Sequence, residues 1–150
     1  MISKKTKYAL IALSKLAEDY QCLRPLLIAD LAKRGRVPRK FLEAILLELK
    51  NRGVLRSKKG KGGGYCLAGP PEKITLGRVI RILEGPLAPL PCVSQSAYQR
   101  CEECEDEDTC PLRLVMKEVR EATAKILDGT SLKDMVERAR DLPLNAMYFI

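Results

Sequence analysis

Histidine is absent from this 150-residue sequence, which also has no run of apolar residues as long as a membrane span. Without histidine, the chain lacks the usual general base, the common catalytic triads and the imidazole ligands of metal sites. Without a long apolar run or a secretory signal pattern, no membrane helix is predicted and the protein is expected to be cytosolic. No set of residues suits acid–base or nucleophilic catalysis, so an enzyme is not predicted.

The charge of the chain is divided unevenly along its length. The net charge is +8, from 27 Lys and Arg against 19 Asp and Glu. Residues 1–61 carry sixteen basic and five acidic side chains, a balance of +11, whereas residues 62–150 carry eleven and fourteen, a balance of −3. A basic excess confined to one part of the chain is typical of a nucleic-acid-binding region rather than of a general polycation.

Residues 26–67 contain the pattern around which the chain is organised: a helix, a tight turn, a second helix and a β-hairpin. The apolar face of the first helix is provided by Leu26, Leu27, Ile28, Leu31 and Ala32. Gly35 is predicted to end this helix and Pro38 to begin the second, because proline needs no backbone N–H in a first helical turn. The inward face of the second helix is predicted to be Phe41, Leu42, Ile45, Leu46 and Leu49.

The hairpin is predicted from two short strands, 54–57 and 65–67, which flank a loop containing three lysines and four glycines. Together with the two helices it predicts a fold that is mostly α with a small β-wing, a winged helix-turn-helix. In a helix-turn-helix the second helix enters the major groove of DNA. The sequence therefore predicts a protein that binds double-stranded DNA.

The residues predicted to contact DNA come from the second helix and from the hairpin loop. Cationic side chains at the start of the helix can read guanine or hold phosphate, and a carboxylate can accept a hydrogen bond from cytosine. Lysines in the loop neutralise phosphates, while glycines let backbone N–H groups approach the sugar-phosphate backbone closely. The predicted contacts are Arg36, Arg39, Lys40, Glu43, Lys58, Lys59, Lys61, Gly62 and Gly63.

A long helix is predicted after Pro111, with apolar residues at alternating steps of three and four. This seam consists of Leu112, Val115, Val119, Ala122 and Ile126. The alternative is a helix that packs on its own domain, but a symmetric dimer is favoured because it presents two reading helices to a palindrome. The predicted domains are a winged helix-turn-helix at 1–85, a cysteine-rich sensor loop at 86–111, and a dimerisation helix with a C-terminal helix at 112–150.

Four of the six cysteines lie within nineteen residues, at Cys92, Cys101, Cys104 and Cys110. In a cytosolic chain such a group indicates a metal site or a redox switch rather than a disulfide framework. Only Cys101 and Cys104 form a close pair, which disfavours a structural zinc site, whereas iron–sulfur clusters accept irregular spacing. A disulfide among Cys101, Cys104 and Cys110 is the other possibility.

The chain resembles the bacterial Rrf2 family of winged-helix regulators as far as about residue 140. The resemblance rests on the opening KTKYALIAL, on LIADLAKRGRVPRKFLEAIL, on LKNRGVLRSKKGKGGGYCLA and on CPLR before the long helix. Members are homodimers that cross their long C-terminal helices and bind palindromic operators with the reading helix and the wing. The resemblance therefore implies a homodimeric repressor, with DNA contacts from Arg39, Lys40, Glu43, Lys59, Lys61 and the wing glycines.

Cluster-binding members of this family use three cysteines spaced C-x5-C-x5-C and a fourth ligand that is a histidine or an acidic residue. In this chain Cys104 and Cys110 keep the x5 step and Cys92 resembles the first ligand, but the fourth-ligand positions hold Arg113 and Lys7. The resemblance thus implies that Cys101 completes an all-cysteine site for a [2Fe–2S] or [4Fe–4S] cluster.

Two alternatives to cluster control are compatible with the sequence. One is a cluster-free regulator of the same family, controlled by a metabolite, a protein partner or a disulfide switch. The other is a small iron–sulfur electron carrier, a class of protein that gives no reason for a basic wing. Salt-dependent DNA binding separates the electron carrier from both kinds of regulator.

Overall fold

The computed structural model describes residues 2–20 and 24–142; Cys22 and the tail 143–150 lie outside the described residues. The elements are α1 (Lys4–Glu18), α2 (Ile28–Gly35), α3 (Arg39–Asn51), β1 (Leu55–Lys58), β2 (Gly64–Leu67), α4 (Leu76–Glu84), α5 (Pro111–Asp128) and α6 (Leu132–Asp141). Short 3-10 turns occur at Pro71–Lys73 and Pro91–Val93. The predicted fold class, mostly α with a small β-wing, is confirmed.

The core is formed where the apolar faces of α1, α2 and α3 meet β1, α4 and α6. Its fully buried side chains include Leu13, Leu31, Leu42, Leu46, Leu49, Val54, Val79 and Leu132. Burying each leucine of this kind stabilises the fold by about 1.5–3 kcal/mol relative to leaving it exposed. Since Leu132 belongs to this cluster, the chain returns after α5 and packs α6 against the N-terminal helices.

The wing is attached to the helix-turn-helix by a residue that precedes α2. Leu26 and Tyr65 form a β-bridge in which each backbone N–H donates to the other residue's carbonyl at 2.8 Å. Leu26 was predicted to lie in the first helix; instead that helix begins at Ile28, because the backbone of Leu26 is used by the sheet. β1 and β2 pair antiparallel from Leu55 opposite Leu67 to Lys58 opposite Gly64.

The inward face of α3 differs from the predicted one at a single residue. Leu42, Ile45, Leu46 and Leu49 are buried as predicted, but Phe41 is 62% exposed. Phe41 lies about 100° around the helix from Leu42, which carries its ring past the edge of the buried stripe. There its ring centroid lies 6.3 Å from that of Tyr8 in α1.

Helices α4 and α6 begin side by side, each with a side-chain cap. The hydroxyl of Thr75 accepts a hydrogen bond from the backbone N–H of Arg78 at 3.2 Å. Ser131 forms a capping box with Asp134, in which both side chains accept backbone N–H groups. Thr75 and Ser131 also form a β-bridge, so the starts of the two helices are held together.

Polar contacts join α4 to α5 and to α1. The guanidinium of Arg81 binds both carboxylate oxygens of Asp128 in α5, at 2.5 and 2.9 Å. Glu84 accepts hydrogen bonds from the Ser3 backbone N–H at 2.9 Å and the Thr6 hydroxyl at 2.5 Å. Hydrogen bonds from the Ser3 and Thr6 side chains and from the Ser3 N–H lower the pKa of Glu84 to about 2.

Candidate DNA-binding surface and cysteine loop

The outward face of α3 carries the residues that the sequence predicts to read DNA. Arg39, Lys40 and Glu43 are all exposed. Arg39 donates through Nε to the Glu43 carboxylate at 3.1 Å, a pairing of residues one helical turn apart. This pair holds the guanidinium at the N-terminal end of the reading face, next to Lys40.

Arg36 lies in the turn between α2 and α3 with a left-handed backbone, at φ 52°. It is the one non-glycine residue with positive φ in the part of the chain that the structure describes. α2 ends at Gly35 as predicted, but the left-handed residue of the turn is Arg36, the next one along the chain. A Cβ at Gly35 would lie 3.0 Å from the Ile11 side chain, so α1 packs closely against this end of α2. A left-handed backbone costs a non-glycine residue about 1–2 kcal/mol. The Arg36 side chain lies just ahead of the reading helix.

The tip of the wing presents its cations outward. Lys58, Lys59 and Lys61 are exposed, as is Gly62, whose φ is 76°. Gly63 is buried, and its N–H donates to the Gly60 carbonyl at 3.0 Å within the turn. A Cβ at Gly63 would meet the Lys58 carbonyl, so this glycine shapes the tip from inside. The predicted wing residues are thus brought together, with three cations on the surface and Gly63 beneath them.

The start of α1 adds further positive charge beside α3. Lys4, Lys5 and Lys7 are exposed in its first turn. Lys5 forms an ion pair with Glu48 of α3 at 2.5 Å. This pair and the contact of Tyr8 with Phe41 fix α1 along one side of α3, so Lys5 lies beside the reading helix, whereas Lys7 lines a groove between α1 and α6.

The cysteine loop, residues 86–110, is held against α5 by two arginines of that helix. Arg113 donates to the backbone carbonyls of Cys92 at 3.3 Å and Glu107 at 3.2 Å. Arg120 donates to the Val93 carbonyl at 3.1 Å. Neither anchor was predicted from the sequence, because contacts between side chains and distant backbone carbonyls leave no spacing pattern.

The four cysteines of the loop have different surroundings. Cys92 is buried, at 8% exposure, in the turn Pro91–Val93, and the other three are partly exposed. The Cys101 thiol donates to the Glu103 carboxylate and the Cys104 thiol to the Asp106 carbonyl, each at 3.3 Å. All four are free thiols.

The pKa values of three of these thiols are shifted in different directions. The Glu103 N–H acts to lower the pKa of Cys101, but the Glu103 carboxylate and partial burial outweigh it and the pKa is raised. Partial burial and a hydrogen bond to Cys110 raise the pKa of Cys104. The backbone N–H of Arg113 lowers the pKa of Cys110, which directly precedes α5.

The donor set has the chemistry of an iron–sulfur site but not its geometry. Cysteine thiolates are the usual ligands of such clusters. Over residues 2–20 and 24–142, however, no three His, Cys, Asp or Glu side chains converge so that they could hold a metal ion. Two of the four thiols are engaged in hydrogen bonds to the loop itself. The residues as arranged here do not fit the cluster.

Helix α5 leaves its predicted apolar seam unburied. None of its eighteen residues, all of which the structure describes, is buried within the chain. The seam comprises five residues, all of them exposed: Leu112, Val115, Val119, Ala122 and Ile126. A stripe of this kind along a helix is typical of a surface that packs against another helix.

The helix-turn-helix, the wing bridged to it and the surrounding cations define a winged-helix protein of the DNA-binding class. The chain belongs to the Rrf2 family of transcriptional regulators, described as iron-dependent, whose family model matches residues 2–138. It is a regulator and not an enzyme. Among the residues that the structure describes, no helix is long and apolar enough to cross a membrane.

Individual relatives cover nearly the whole chain. An rrf2-like helix-turn-helix regulator of Rhodobacter capsulatus is 43% identical over 138 residues, covering 91% of this chain and 92% of the relative. The solved structure of CymR, the global cysteine regulator of B. subtilis, is 30% identical with a TM-score of 0.76, covering 92% of this chain and 97% of that one. The structure of T. potens IscR is 25% identical with a TM-score of 0.74, covering 99% and 96%.

Proposed function

We propose that the protein is a homodimeric repressor that binds a palindromic operator with α3 and the wing of each subunit. The observation that carries the proposal is the set of exposed cations on α3, on the wing tip and at the start of α1. Its proposed DNA contacts are Arg36, Arg39, Lys40, Glu43, Lys58, Lys59, Lys61 and Gly62, with Gly63 supporting the tip. The unburied seam of α5 supports the dimer, because two such stripes bury each other when they pack together.

We propose a separate role for each of the predicted domains. Residues 1–85 read DNA, the loop within 86–111 senses a signal, and 112–150 supplies the dimerisation helix. The loop is bound through Arg113 and Arg120 to α5, and α5 is bound through Asp128 to Arg81 of α4. A change in the loop therefore acts on the helix that sets the spacing of the two reading heads.

We assign the sensed signal to the cysteines of the loop, with an iron–sulfur cluster on Cys92, Cys101, Cys104 and Cys110 as the first candidate. The family description as iron-dependent and the four thiols in one loop support this assignment. Because the thiols do not converge here, binding the cluster requires the loop to rearrange. Loaded and cluster-free protein would then differ in the conformation of the loop, and this difference can change the affinity for the operator.

The test of the cluster is iron and sulfide quantification, with a visible spectrum, on full-length protein purified without oxygen. We expect stoichiometric iron and sulfide, together with sulfur-to-iron absorption bands that Cys101→Ser weakens and the control Cys66→Ser leaves intact. Operator affinity should differ between loaded and iron-free protein. Protein with no iron or sulfide contradicts cluster control but not DNA binding.

A second candidate is a thiol switch between Cys104 and Cys110, which lie close enough for each thiol to shift the pKa of the other, upward for Cys104 and downward for Cys110. Oxidation by hydrogen peroxide joins the two sulfurs, and the two thiol protons and two electrons reduce the peroxide to two water molecules. Peptide mapping of peroxide-treated protein should then find a Cys104–Cys110 disulfide and a changed operator affinity. Unchanged affinity after complete disulfide formation contradicts this candidate.

A further inference from the structure

Two apolar side chains lie in the middle of the reading face of α3. Leu47 is 51% exposed, and Ala44 is also exposed. With Lys40 and Glu43 they follow the i, i+3, i+4, i+7 spacing, so all four side chains share one face of the helix. The reading face therefore has charged residues in its first turns, Ala44 and Leu47 in its middle, and the exposed Lys50 at its end.

The packing of α3 leaves Leu47 on the surface. The face of α3 opposite to it, formed by Leu42, Ile45, Leu46 and Leu49, already lies in the core. Turning α3 to bury Leu47 would expose those residues, at a cost of about 1.5–3 kcal/mol for each large side chain. Over residues 2–20 and 24–142, Leu47 therefore remains available to whatever molecule contacts the outward face of α3.

The charges around Leu47 indicate which partner this is. Arg39 and Lys40 lie in the first turn of the same helix, Arg36 lies in the turn before it and Lys50 lies one turn beyond Leu47, and all four are exposed. A polyanion neutralises cations arranged along a helix in this way. In the major groove of DNA, the apolar group that such a side chain can meet is the C5-methyl group of thymine, since the other readable groups are hydrogen-bond donors or acceptors.

We propose that Leu47, with Ala44 beside it, reads a thymine in each half of the operator through an apolar contact with the base's methyl group. This inference rests on the proposed function, because it requires α3 to enter the major groove. It assigns operator specificity at one base pair to residues that make no hydrogen bond. Lys40 and Arg39 would hold phosphate or guanine at the other end of the helix.

The test uses a duplex enriched from a randomised pool by the full-length protein, in which each thymine is replaced in turn by deoxyuridine. Deoxyuridine keeps every hydrogen-bonding group of thymine and removes the methyl group alone. Binding is measured by fluorescence anisotropy at fixed salt. We expect one thymine in each half-site at which uracil weakens binding about four-fold, the effect of removing one buried methyl-sized group.

Protein variants identify the side chain that reads the methyl group. Leu47→Ala should weaken binding to the thymine duplex and abolish the difference between thymine and uracil at that position. Leu27→Ala removes an equally exposed leucine, 52% exposed, outside α3 and should keep the full difference. Lys59→Ala should weaken binding to both duplexes by the same factor.

The possible outcomes separate this inference from the function on which it rests. Salt-dependent binding that is insensitive to every uracil substitution overturns the methyl contact and leaves the regulator intact. A thymine preference that persists unchanged in Leu47→Ala also overturns it. If no duplex is enriched at all, both the proposed operator binding and the methyl contact are wrong.

Discussion

The reading head and the cysteine loop are built by different forces. In the head, leucine faces of α1, α2, α3 and α6 bury one another, and the wing is bridged to the helices by backbone hydrogen bonds. The loop, all of which the structure describes, buries only Cys92 and Val93 among its apolar side chains and is otherwise held by polar contacts, notably those of Arg113 and Arg120 with backbone carbonyls. The head therefore keeps its shape without a cofactor, whereas the loop can change shape at little cost to the core.

The two regions also differ in charge. The head carries the basic excess, while the loop contains Glu102, Glu103, Glu105, Asp106, Glu107 and Asp108. An acidic loop is repelled by DNA phosphates, so it does not compete with the wing for the same partner. In the proposed regulator, this separation would let the cysteine loop respond to a signal without itself binding DNA.

The largest expected effect comes from disrupting the apolar seam of α5, the proposed dimer contact. Val119→Asp places a carboxylate in the middle of the α5 seam, where dimerisation would have to bury it. We expect the dimer Kd to rise at least about 100-fold, since an unpaired buried charge costs several kcal/mol. Sedimentation equilibrium measures the Kd. Lys117→Asp, on a different face of α5, is the control and should remain dimeric.

Removing wing charge should weaken DNA binding strongly while leaving the loop unaffected. The double variant Lys59→Ala, Lys61→Ala should reduce the slope of log affinity against log salt by about 2 per subunit, roughly one for each phosphate that is no longer neutralised. Replacing two loop carboxylates, with Glu102→Gln and Glu103→Gln, should leave that slope unchanged. Equal slopes in the wild type and the wing variant would show that the wing does not bind phosphates.

Loosening the loop should leave the head unchanged. Arg113→Ala removes the hydrogen bonds to the Cys92 and Glu107 carbonyls. We expect faster amide hydrogen exchange across residues 92–110, with no more than a small change in the exchange of α3 amides. Slower exchange in both regions, or equal acceleration of both, would mean that the loop and the head are one cooperative unit.

Replacing Arg36 with glycine should have a smaller effect, which raises the stability of the fold and lowers the affinity for DNA. Arg36→Gly relieves the left-handed backbone, a gain of about 1–2 kcal/mol that the extra freedom of glycine in the unfolded chain reduces by about 0.5–1 kcal/mol. Urea denaturation should therefore show a net gain of about 1 kcal/mol in the free energy of unfolding. DNA affinity should fall, as it also should in Arg36→Ala, which keeps the strain. A variant that gains stability and keeps full affinity would contradict the DNA contact proposed for Arg36.

The smallest effect is expected at Glu84, which fixes the start of α1 in the head. Its pKa is about 2 in the folded protein against an ordinary 4.5, so its hydrogen bonds stabilise the fold fully above pH 4.5 and are lost as the pH falls toward 2. Glu84→Gln should have a melting temperature that falls less steeply over this range. The exposed carboxylate of Glu72 provides the control, since Glu72→Gln should keep the wild-type slope. Identical slopes in all three proteins would contradict the pKa assigned to Glu84.

More of the structure of the reading head than of the cysteine loop could be predicted from the sequence. Repeats of apolar residues every three or four positions indicate which face of a helix is buried. The burial of Leu42, Ile45, Leu46 and Leu49 could therefore be predicted from their spacing. The cap Thr75 could be predicted from its place just before an apolar repeat. Patterns do not report how far a helix is rotated at its edge, which is why Phe41 was predicted to face inward. Nor do they report which residue after a helix takes a left-handed backbone, since glycine is the usual choice but Arg36 and not Gly35 has the positive φ.

The loop depends on contacts that no local pattern encodes. The spacing of its cysteines indicates which chemistry the loop offers. The positions of the thiols depend on Arg113 and Arg120, which bind the carbonyls of Cys92 and Val93, far earlier in the chain. The bridge between Leu26 and Tyr65 is of the same kind. Backbone partners distant in sequence are set by the packed fold, and a single sequence read in order does not contain them.

The number of chains bound to a selected palindromic duplex, compared with the number on its isolated half-site, tests homodimeric operator binding most directly. Titration at protein and duplex concentrations well above Kd, combined with sedimentation of the complex, gives this number. We predict two chains on the full palindrome and a much weaker complex on the half-site. One chain per duplex, with equal affinity for the palindrome and the half-site, would contradict a dimer that reads both halves of its operator.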